Sequence, residues 1–284
     1  MLQALPLLIS PVILSEVPPP PATRFEPLTE TIHGFDVQDD FRWLEPLESE
    51  SDEVKAWTDL QNLRTRTALD AHPKRQMVED RIEALYRVDS IGLPTVRGDL
   101  HFNLERRGEA KQASLMRRQG AKGEPEVILD PSALDNDGLT AIDWFAPDAT
   151  GKHIAFGLSR AGDEMSILHI LNAESGIWLT EEIPGKAEFC GWRGSTGFVY
   201  GILTDPNDAY SRVFRHHTIG RHPRHDETLL EQESPTRIPD LRLHDGGRWA
   251  VAVHFEGWSK QDILAAPTSQ LLKDGESALQ PVAI

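Results

Sequence analysis

Four similar segments recur along the sequence, and their spacing constrains the fold more than any other feature. Each has a glycine turn followed by a strand-like run with an aromatic residue; they are residues 98–104, 151–158, 197–203 and 247–253. Their first glycines are separated by 53, 46 and 50 residues. A period of about 40–50 residues with some four strands per unit is typical of β-propeller blades. Because a blade can bury its faces only against its neighbours, the repeat predicts sheets stacked around a ring.

Residues 144–159 show the pattern most clearly, and they predict a tight turn followed by one buried strand. Pro147 and Gly151 are typical turn residues. The strand rests on apolar residues at every second position, which are Ile154, Phe156 and Leu158. A period of two is what a strand requires, because successive side chains point to opposite faces.

Short alternating runs separated by turn clusters continue from residue 89 onwards, which predicts an all-β architecture. This part holds about four repeat units, and the last fades without visible closure, so we expect the ring to continue beyond Ile284. The predicted organisation has three parts. They are an apolar, proline-rich leader at 1–22, an N-terminal extended and helical-hairpin segment at 23–88, and an incomplete propeller of about four blades at 89–284.

A helical hairpin is predicted over residues 50–88. Ser49 or Ser51 can cap its first helix, and acidic residues in the first turn suit the positive end of the helix dipole. Pro73 separates the two helices, since a helix stops before proline and can begin at it. Apolar residues at helical spacing form a broad face, namely Val54, Trp57 and Leu60 in the first helix and Val78, Ile82 and Leu85 in the second. We interpret this face as core, not as a ligand site.

Charge and cysteine content limit the classes of partner. The formal net charge is −16, and binding to nucleic acid or anionic membranes requires basic patches, so neither partner is expected. The single cysteine, Cys190, excludes an internal disulfide framework. Because it lies between Phe189 and Trp192, we interpret it as a small core residue and not as a nucleophile.

The first 14 residues are apolar, but they do not form a standard signal peptide. Pro6 and Pro11 interrupt them, and no Lys or Arg precedes Arg24, so the charged n-region is missing. The run is also too short to span a membrane. We therefore expect a cytoplasmic protein with a disordered leader; the alternative is export to the periplasm by a weak N-terminal signal.

Two catalytic motifs fail at their defining positions. A phosphate loop at Gly151 would need Ser or Thr where the chain has His153. A serine nucleophile on a strand-to-helix elbow needs a glycine two residues before and two residues after it. Ser159 lacks the second glycine and Ser195 lacks the first, so neither is predicted to be catalytic.

Two clusters of polar residues also lack a convincing site pattern. Four histidines lie within ten residues: His216, His217, His222 and His225. Arg221 and Arg224 flank the last two and repel a cation, so we interpret the cluster as a polar loop between strands. Three glutamates are near one another in sequence, Glu181, Glu182 and Glu188, and we interpret them as solvated. No catalytic, cofactor-binding or metal-binding residue is therefore predicted within the chain, and no cofactor.

Several segments, in order along the chain, resemble the prolyl oligopeptidases. Residues 39–46, DDFRWLEP, resemble the family's D-P-Y-R-W-L-E-D motif, with differences at Asp40, Phe41 and Pro46. Residues 55–62 are similar to its K-x-W-x-x-x-Q-N helix. Residues 146–155 resemble the family's S-P-D-G-x-x-x-A element, and residues 162–164 resemble the G-S-D-like element that follows it. Residues 191–200 resemble W-x-x-D-x-x-G-F-x-Y, and residues 213–226 resemble V-y-x-H-x-l-G-x-x-x-x-D. The matches run from about residue 24 to 256.

This resemblance implies a two-part serine peptidase. In the family, a seven-bladed propeller covers an α/β-hydrolase domain that follows it in sequence and carries a Ser-Asp-His triad. The resemblance thus implies cleavage of short peptides after proline, with the propeller acting as a steric gate and the helical N-terminal segment packing on the hydrolase domain. The triad is expected beyond Ile284, so none of its residues can be assigned here, and the chain alone is expected to be inactive.

Two hypotheses of different classes follow. The first hypothesis is that the chain is the N-terminal gating portion of such a peptidase. The second is that the chain is a non-catalytic, propeller-like binding module that has lost the hydrolase domain. The coding sequence after codon 284 discriminates between them, because only the first requires further blades and a G-x-S-x-G elbow there.

Overall fold

The computed structural model describes residues 18–282 and divides the chain after Tyr86 into two compact units. Residues 1–17 of the predicted leader at 1–22 lie outside the described residues, as does the apolar run interpreted as a weak export signal. None of the described helices is long and apolar enough to cross a membrane.

The first unit contains a β-hairpin and two helices. Their bounds are β1 Leu28–Ile32, β2 Phe35–Asp39, α1 Asp52–Asp70 and α2 Arg75–Tyr86. The hydroxyl of Ser51 caps α1 by accepting a hydrogen bond from the Val54 N–H at 3.3 Å. Trp57 donates from its indole Nε1 to Thr23 Oγ1 at 3.0 Å, and it meets the ring of Trp43 edge to face.

The apolar face of these helices departs from the core interpretation. Val54 is buried, but Leu60, Val78, Ile82 and Leu85 are each about half exposed. Stripes at helical spacing arise wherever a helix has an apolar side, whether or not a partner covers it. The spacing therefore located the helices but not the extent of their burial.

The second unit consists of four antiparallel sheets that follow one another along the chain, and we call them blades 1 to 4. Blade 1 contains β3 Ser90–Ile91, β4 Thr95–Arg97, β5 Leu100–Arg106, β6 Ser114–Gln119 and β7 Glu126–Leu129. Blade 2 contains β8 Thr140–Pro147, β9 His153–Arg160, β10 Ile167–Asn172 and β11 Trp178–Ile183. Blade 3 contains β12 Glu188–Arg193, β13 Gly197–Leu203, β14 Arg212–Thr218 and β15 Glu227–Glu231. Blade 4 contains β16 Ile238–His244, β17 Trp249–Glu256, β18 Lys260–Pro267, the short helix α3 Thr268–Asp274 and β19 Gln280–Pro281. The prediction of a propeller part with about four blades is confirmed.

Three apolar cores lie between consecutive blades. In β9, Ile154 and Phe156 join the core shared with blade 1, while Ala155 joins the core shared with blade 3. Cys190 lies in the third core, between blades 3 and 4, which confirms its interpretation as a small core residue. Each interior blade therefore buries both of its faces, and at about 25 cal/mol per Å² of apolar surface this burial is the main attraction between blades.

Residues 144–159 form a strand, a turn and a second strand, so the expectation of a turn and one strand was incomplete. The strand prediction at Ile154 is confirmed by β9, but Trp144 and Pro147 belong to β8, which pairs with β9. Proline usually interrupts a strand because it cannot donate to the ladder. Here β8 is the edge strand of its sheet, where the missing N–H has no cost.

Candidate functional site

A buried cluster of ionisable side chains connects blades 2 and 3, and we call it the His217 network. It consists of Glu181 on β11, Tyr200 on β13, His217 on β14 and Asp226 just before β15. The side chain of His217 is fully buried, and those of Glu181 and Asp226 are 1% and 3% exposed. Charged groups in such a position must be paired to be tolerated.

The network forms a continuous chain of contacts around the imidazole. Nδ1 of His217 lies 2.9 Å from one carboxylate oxygen of Asp226 and 3.0 Å from the other. Tyr200 donates its hydroxyl proton to Asp226 at 2.8 Å. On the other side, Nε2 of His217 lies 3.6 Å from Glu181, an ion-pair separation, and the Gly220 N–H donates to Glu181 at 2.6 Å. Glu181 is the contribution of blade 2, so the network ties the two blades together.

These contacts set the protonation states. Burial disfavours the imidazolium, but the hydrogen bond to Asp226 and the ion pair with Glu181 outweigh it and raise the pKa of His217 to about 9. Burial likewise opposes ionisation of Glu181, yet His217 and the Gly220 N–H hold the pKa of Glu181 below its ordinary value. Burial and the neighbouring Asp226 both raise the pKa of Tyr200. At neutral pH the imidazole is thus a histidinium between Glu181 and Asp226, which can hold the blades together but cannot act as a general base.

Folding stability is expected to fall as pH rises through about 9. The pKa of His217 is raised from 6.5, so its contribution is complete below about pH 6.5 and is lost as pH passes the folded-state value. A shift from 6.5 to about 9, at 1.36 kcal/mol per pKa unit, limits the contribution to about 3 kcal/mol. Urea unfolding at about pH 6 and about pH 9.5 measures it. Equal free energies of unfolding at the two pH values would contradict the assignment.

A second ionic cluster connects blades 3 and 4. Glu188 on β12 pairs with Arg212 at 2.7 Å and with Arg242 on β16. The guanidinium of Arg242 also donates from Nη1 to the Phe189 carbonyl at 2.9 Å. The side chain of Glu188 is one-third exposed, so it is a partly buried inter-blade partner and not the solvated carboxylate expected from sequence.

The structure corrects two further interpretations of the sequence. Glu181 is buried, whereas its neighbour Glu182 is exposed as expected. His216 and His217 lie within strand β14, not in a loop, while His222 and His225 lie in the turn that follows it. Glu181 is in phase with the buried Ile183, and this alternation was the signal that could have revealed its burial.

The serine and cysteine side chains named in the sequence have structural surroundings. Ser159 is buried, and its hydroxyl donates to Asp143 at 2.7 Å instead of facing a histidine. Burial raises the pKa of the Cys190 thiol, which keeps it protonated and unreactive. Within residues 18–282, no three or more His, Cys, Asp or Glu side chains are arranged to hold a metal ion.

Comparisons with known proteins agree on one family. The model of the prolyl oligopeptidase N-terminal beta-propeller domain matches residues 20–280. A prolyl endopeptidase from Elizabethkingia meningoseptica is 26% identical over 243 residues, covering 81% of this chain and 34% of the relative. Prolyl oligopeptidase A from Galerina marginata is 26% identical over 268 residues, covering 80% of this chain and 35% of the relative. The chain thus spans about a third of the length of these relatives.

Solved structures share the fold. One from a study of two prolyl endopeptidases and their inter-domain dynamics has a TM-score of 0.82 and 30% identity, covering 93% of this chain and 39% of that one. Prolyl oligopeptidase B from Galerina marginata, bound to a 35mer hydrolysis and macrocyclization substrate, has a TM-score of 0.74 at 22% identity, covering 92% of this chain and 40% of that one. At that identity the second likeness concerns the fold alone.

Proposed function

The chain belongs to the prolyl oligopeptidase family, and on this premise we propose that it supplies the propeller of a serine peptidase that cleaves short peptides after proline. The observation that carries the proposal is the family match over residues 20–280, which is the propeller region of the family. The names of the relatives, prolyl endopeptidase and prolyl oligopeptidase, support the reaction and the substrate class. The three-part division at residues 22/23 and 88/89 is part of the same proposal, as is a cytoplasmic location.

The role proposed for the blades is steric. A stack of sheets over an active site admits short flexible peptides and excludes folded proteins, and this selection needs no catalytic group from the blades. The His217 network supports that role, because its imidazole is protonated and held between carboxylates. The reacting serine, histidine and aspartate are proposed to lie in sequence that follows Ile284, where an acyl-enzyme would form and be hydrolysed.

The purified chain is expected to show no cleavage of a proline-containing fluorogenic peptide and no labelling by a fluorophosphonate probe. Both reactions need a serine activated by a neighbouring base, and Ser159, for example, donates to Asp143 instead. A full-length prolyl endopeptidase relative serves as the positive control in both assays. Labelling of any serine in this chain, or turnover above the buffer rate, would contradict the proposal that the blades are non-catalytic.

The coding sequence after codon 284 tests the assignment to a larger enzyme. Further blades followed by a G-x-S-x-G elbow, in frame or after one frameshift, are expected. Unrelated sequence there would instead favour the free-standing binding module.

A further inference from the structure

An open groove of about 770 Å³ runs between blades 2 and 3. Its walls are mainly apolar, with Met165, Ile167 and Ile183 from blade 2 and Ile202, Leu203 and Pro206 from blade 3. This volume lies within the roughly 300–1,000 Å³ range of small-molecule sites, which are typically apolar with a few converging polar groups. We call it the inter-blade groove.

Arg215 supplies the groove with a cation whose Nε has no hydrogen-bond partner within residues 18–282. It lies opposite Tyr200 in the β13–β14 ladder, and the β14–β15 register shifts between Phe214 and Arg215. Such bulges re-aim a side chain, and Arg215 lines the groove. That Nε is buried, and the guanidinium lies close enough to the Tyr200 hydroxyl to oppose the rise in the pKa of Tyr200. An anion from outside the chain would stabilise a partly buried guanidinium in this position.

Asp163 supplies a negative charge at another point on the wall of the groove. One of its carboxylate oxygens accepts hydrogen bonds from the backbone N–H groups of Met165, at 2.9 Å, and Arg160. Asp163 is exposed, so its other oxygen is open to solvent and to a ligand in the groove. Asp163 belongs to the turn before β10, the same end of the blades at which the Leu203 N–H donates to the Gly185 carbonyl at 2.7 Å.

We propose that the inter-blade groove binds a short peptide with free termini. The α-carboxylate would pair with Arg215, the apolar side chains would lie along the walls, and the α-ammonium would face Asp163. A fatty acid would supply the anion and the apolar chain but no cation for Asp163, so the charges favour the peptide. The inference rests on blades 2 and 3 alone and not on the proposed peptidase function.

Calorimetric titration of the full chain with the dipeptide Leu-Leu tests the proposal. Saturable binding is expected, and the C-terminal amide should bind about tenfold more weakly, because it cannot form the charge-assisted bonds to Arg215. N-acetyl-Leu-Leu, which lacks the ammonium, should bind about threefold more weakly. Arg215→Gln should weaken Leu-Leu about tenfold, whereas Arg221→Gln, an exposed arginine outside the groove, should leave it unchanged.

Three results would overturn the proposal: no saturable binding of Leu-Leu, equal affinity for the acid and its amide, or decanoate binding as tightly as Leu-Leu. The last would assign the groove to fatty acids. The acid and amide comparison uses the unmodified chain, so it decides the question even where Arg215→Gln fails to fold. Thermal unfolding of both variants shows whether a lost affinity reflects a lost fold.

Discussion

Replacing His217 with glutamine is expected to lower the free energy of unfolding by about 3–5 kcal/mol. The substitution removes the one cation between Glu181 and Asp226, both of which are almost fully buried. Two uncompensated carboxylates then face each other across a neutral amide. In the unmodified chain the imidazolium offsets the desolvation cost of these buried carboxylates, and in the variant nothing offsets it.

His216→Gln is the matched control, because the two histidines are adjacent on β14. His216 is only partly buried, and its imidazole makes no ion pair within residues 18–282; burial lowers its pKa, so it is neutral. Its substitution should cost less than about 1 kcal/mol. Equilibrium unfolding in guanidinium chloride at neutral pH measures both variants. Equal losses for the two would show that His217 contributes only by filling space.

A double substitution separates charge from packing. Glu181→Gln in the His217→Gln chain removes one of the two stranded carboxylates, so it should recover part of the stability that the single change lost. With the Glu181→Gln single variant also measured, the loss in the double variant should be smaller than the sum of the two single losses by about 1 kcal/mol or more, which is the coupling energy of neighbouring charges. Strict additivity of the two losses would mean that Glu181 and His217 do not interact.

The blades could be predicted from the sequence because their packing requires a short-range alternation of apolar and polar residues. Ile154 and Phe156 are apolar because they face blade 1. The pattern recurs in every blade because each blade buries a sheet face against its neighbour. Strands without a clear alternation were harder to place. In β8, Pro147 looked like a turn residue, and its tolerance there depends on the strand being at the edge of its sheet.

The His217 network could not be predicted in the same way, because its members are brought together by tertiary contacts. Glu181 stands beside Glu182 in sequence, and only its packing against blade 3 separates a buried ion from a solvated one. His217 was grouped with other histidines by proximity along the chain, whereas its partners come from a different blade and a different loop. A lone arginine in a strand is ordinary in sequence, and only the structure shows that the Nε of Arg215 is buried without a hydrogen-bond partner in the described chain.

Gly247→Ala is expected to lower the free energy of unfolding by about 3–5 kcal/mol, through a backbone clash between blades 3 and 4. Gly247 lies in the turn between β16 and β17 with φ +86°, in the region that L-residues rarely adopt. A Cβ there would lie 2.3 Å from the Trp192 carbonyl oxygen and 3.0 Å from the Arg193 Cα. Both atoms belong to the backbone of β12, so relief of the clash requires the two blades to move apart.

Gly246→Ala serves as a control that separates the cost of the inter-blade clash from the cost of backbone strain. Gly246 has φ +65° in the same turn, but a Cβ there would meet no atom within 4 Å. Gly246→Ala should therefore cost only the left-handed strain, about 1–2 kcal/mol. The difference between the two variants, measured by chemical denaturation, is the cost of displacing blade 3 from blade 4. Hydrogen exchange should show which region is loosened, with faster amide exchange in β12 and β16 for Gly247→Ala but not for Gly246→Ala. Equal losses for both variants would mean that the turn adjusts independently of blade 3, and that blade contacts at this rim contribute little to the stability of the stack.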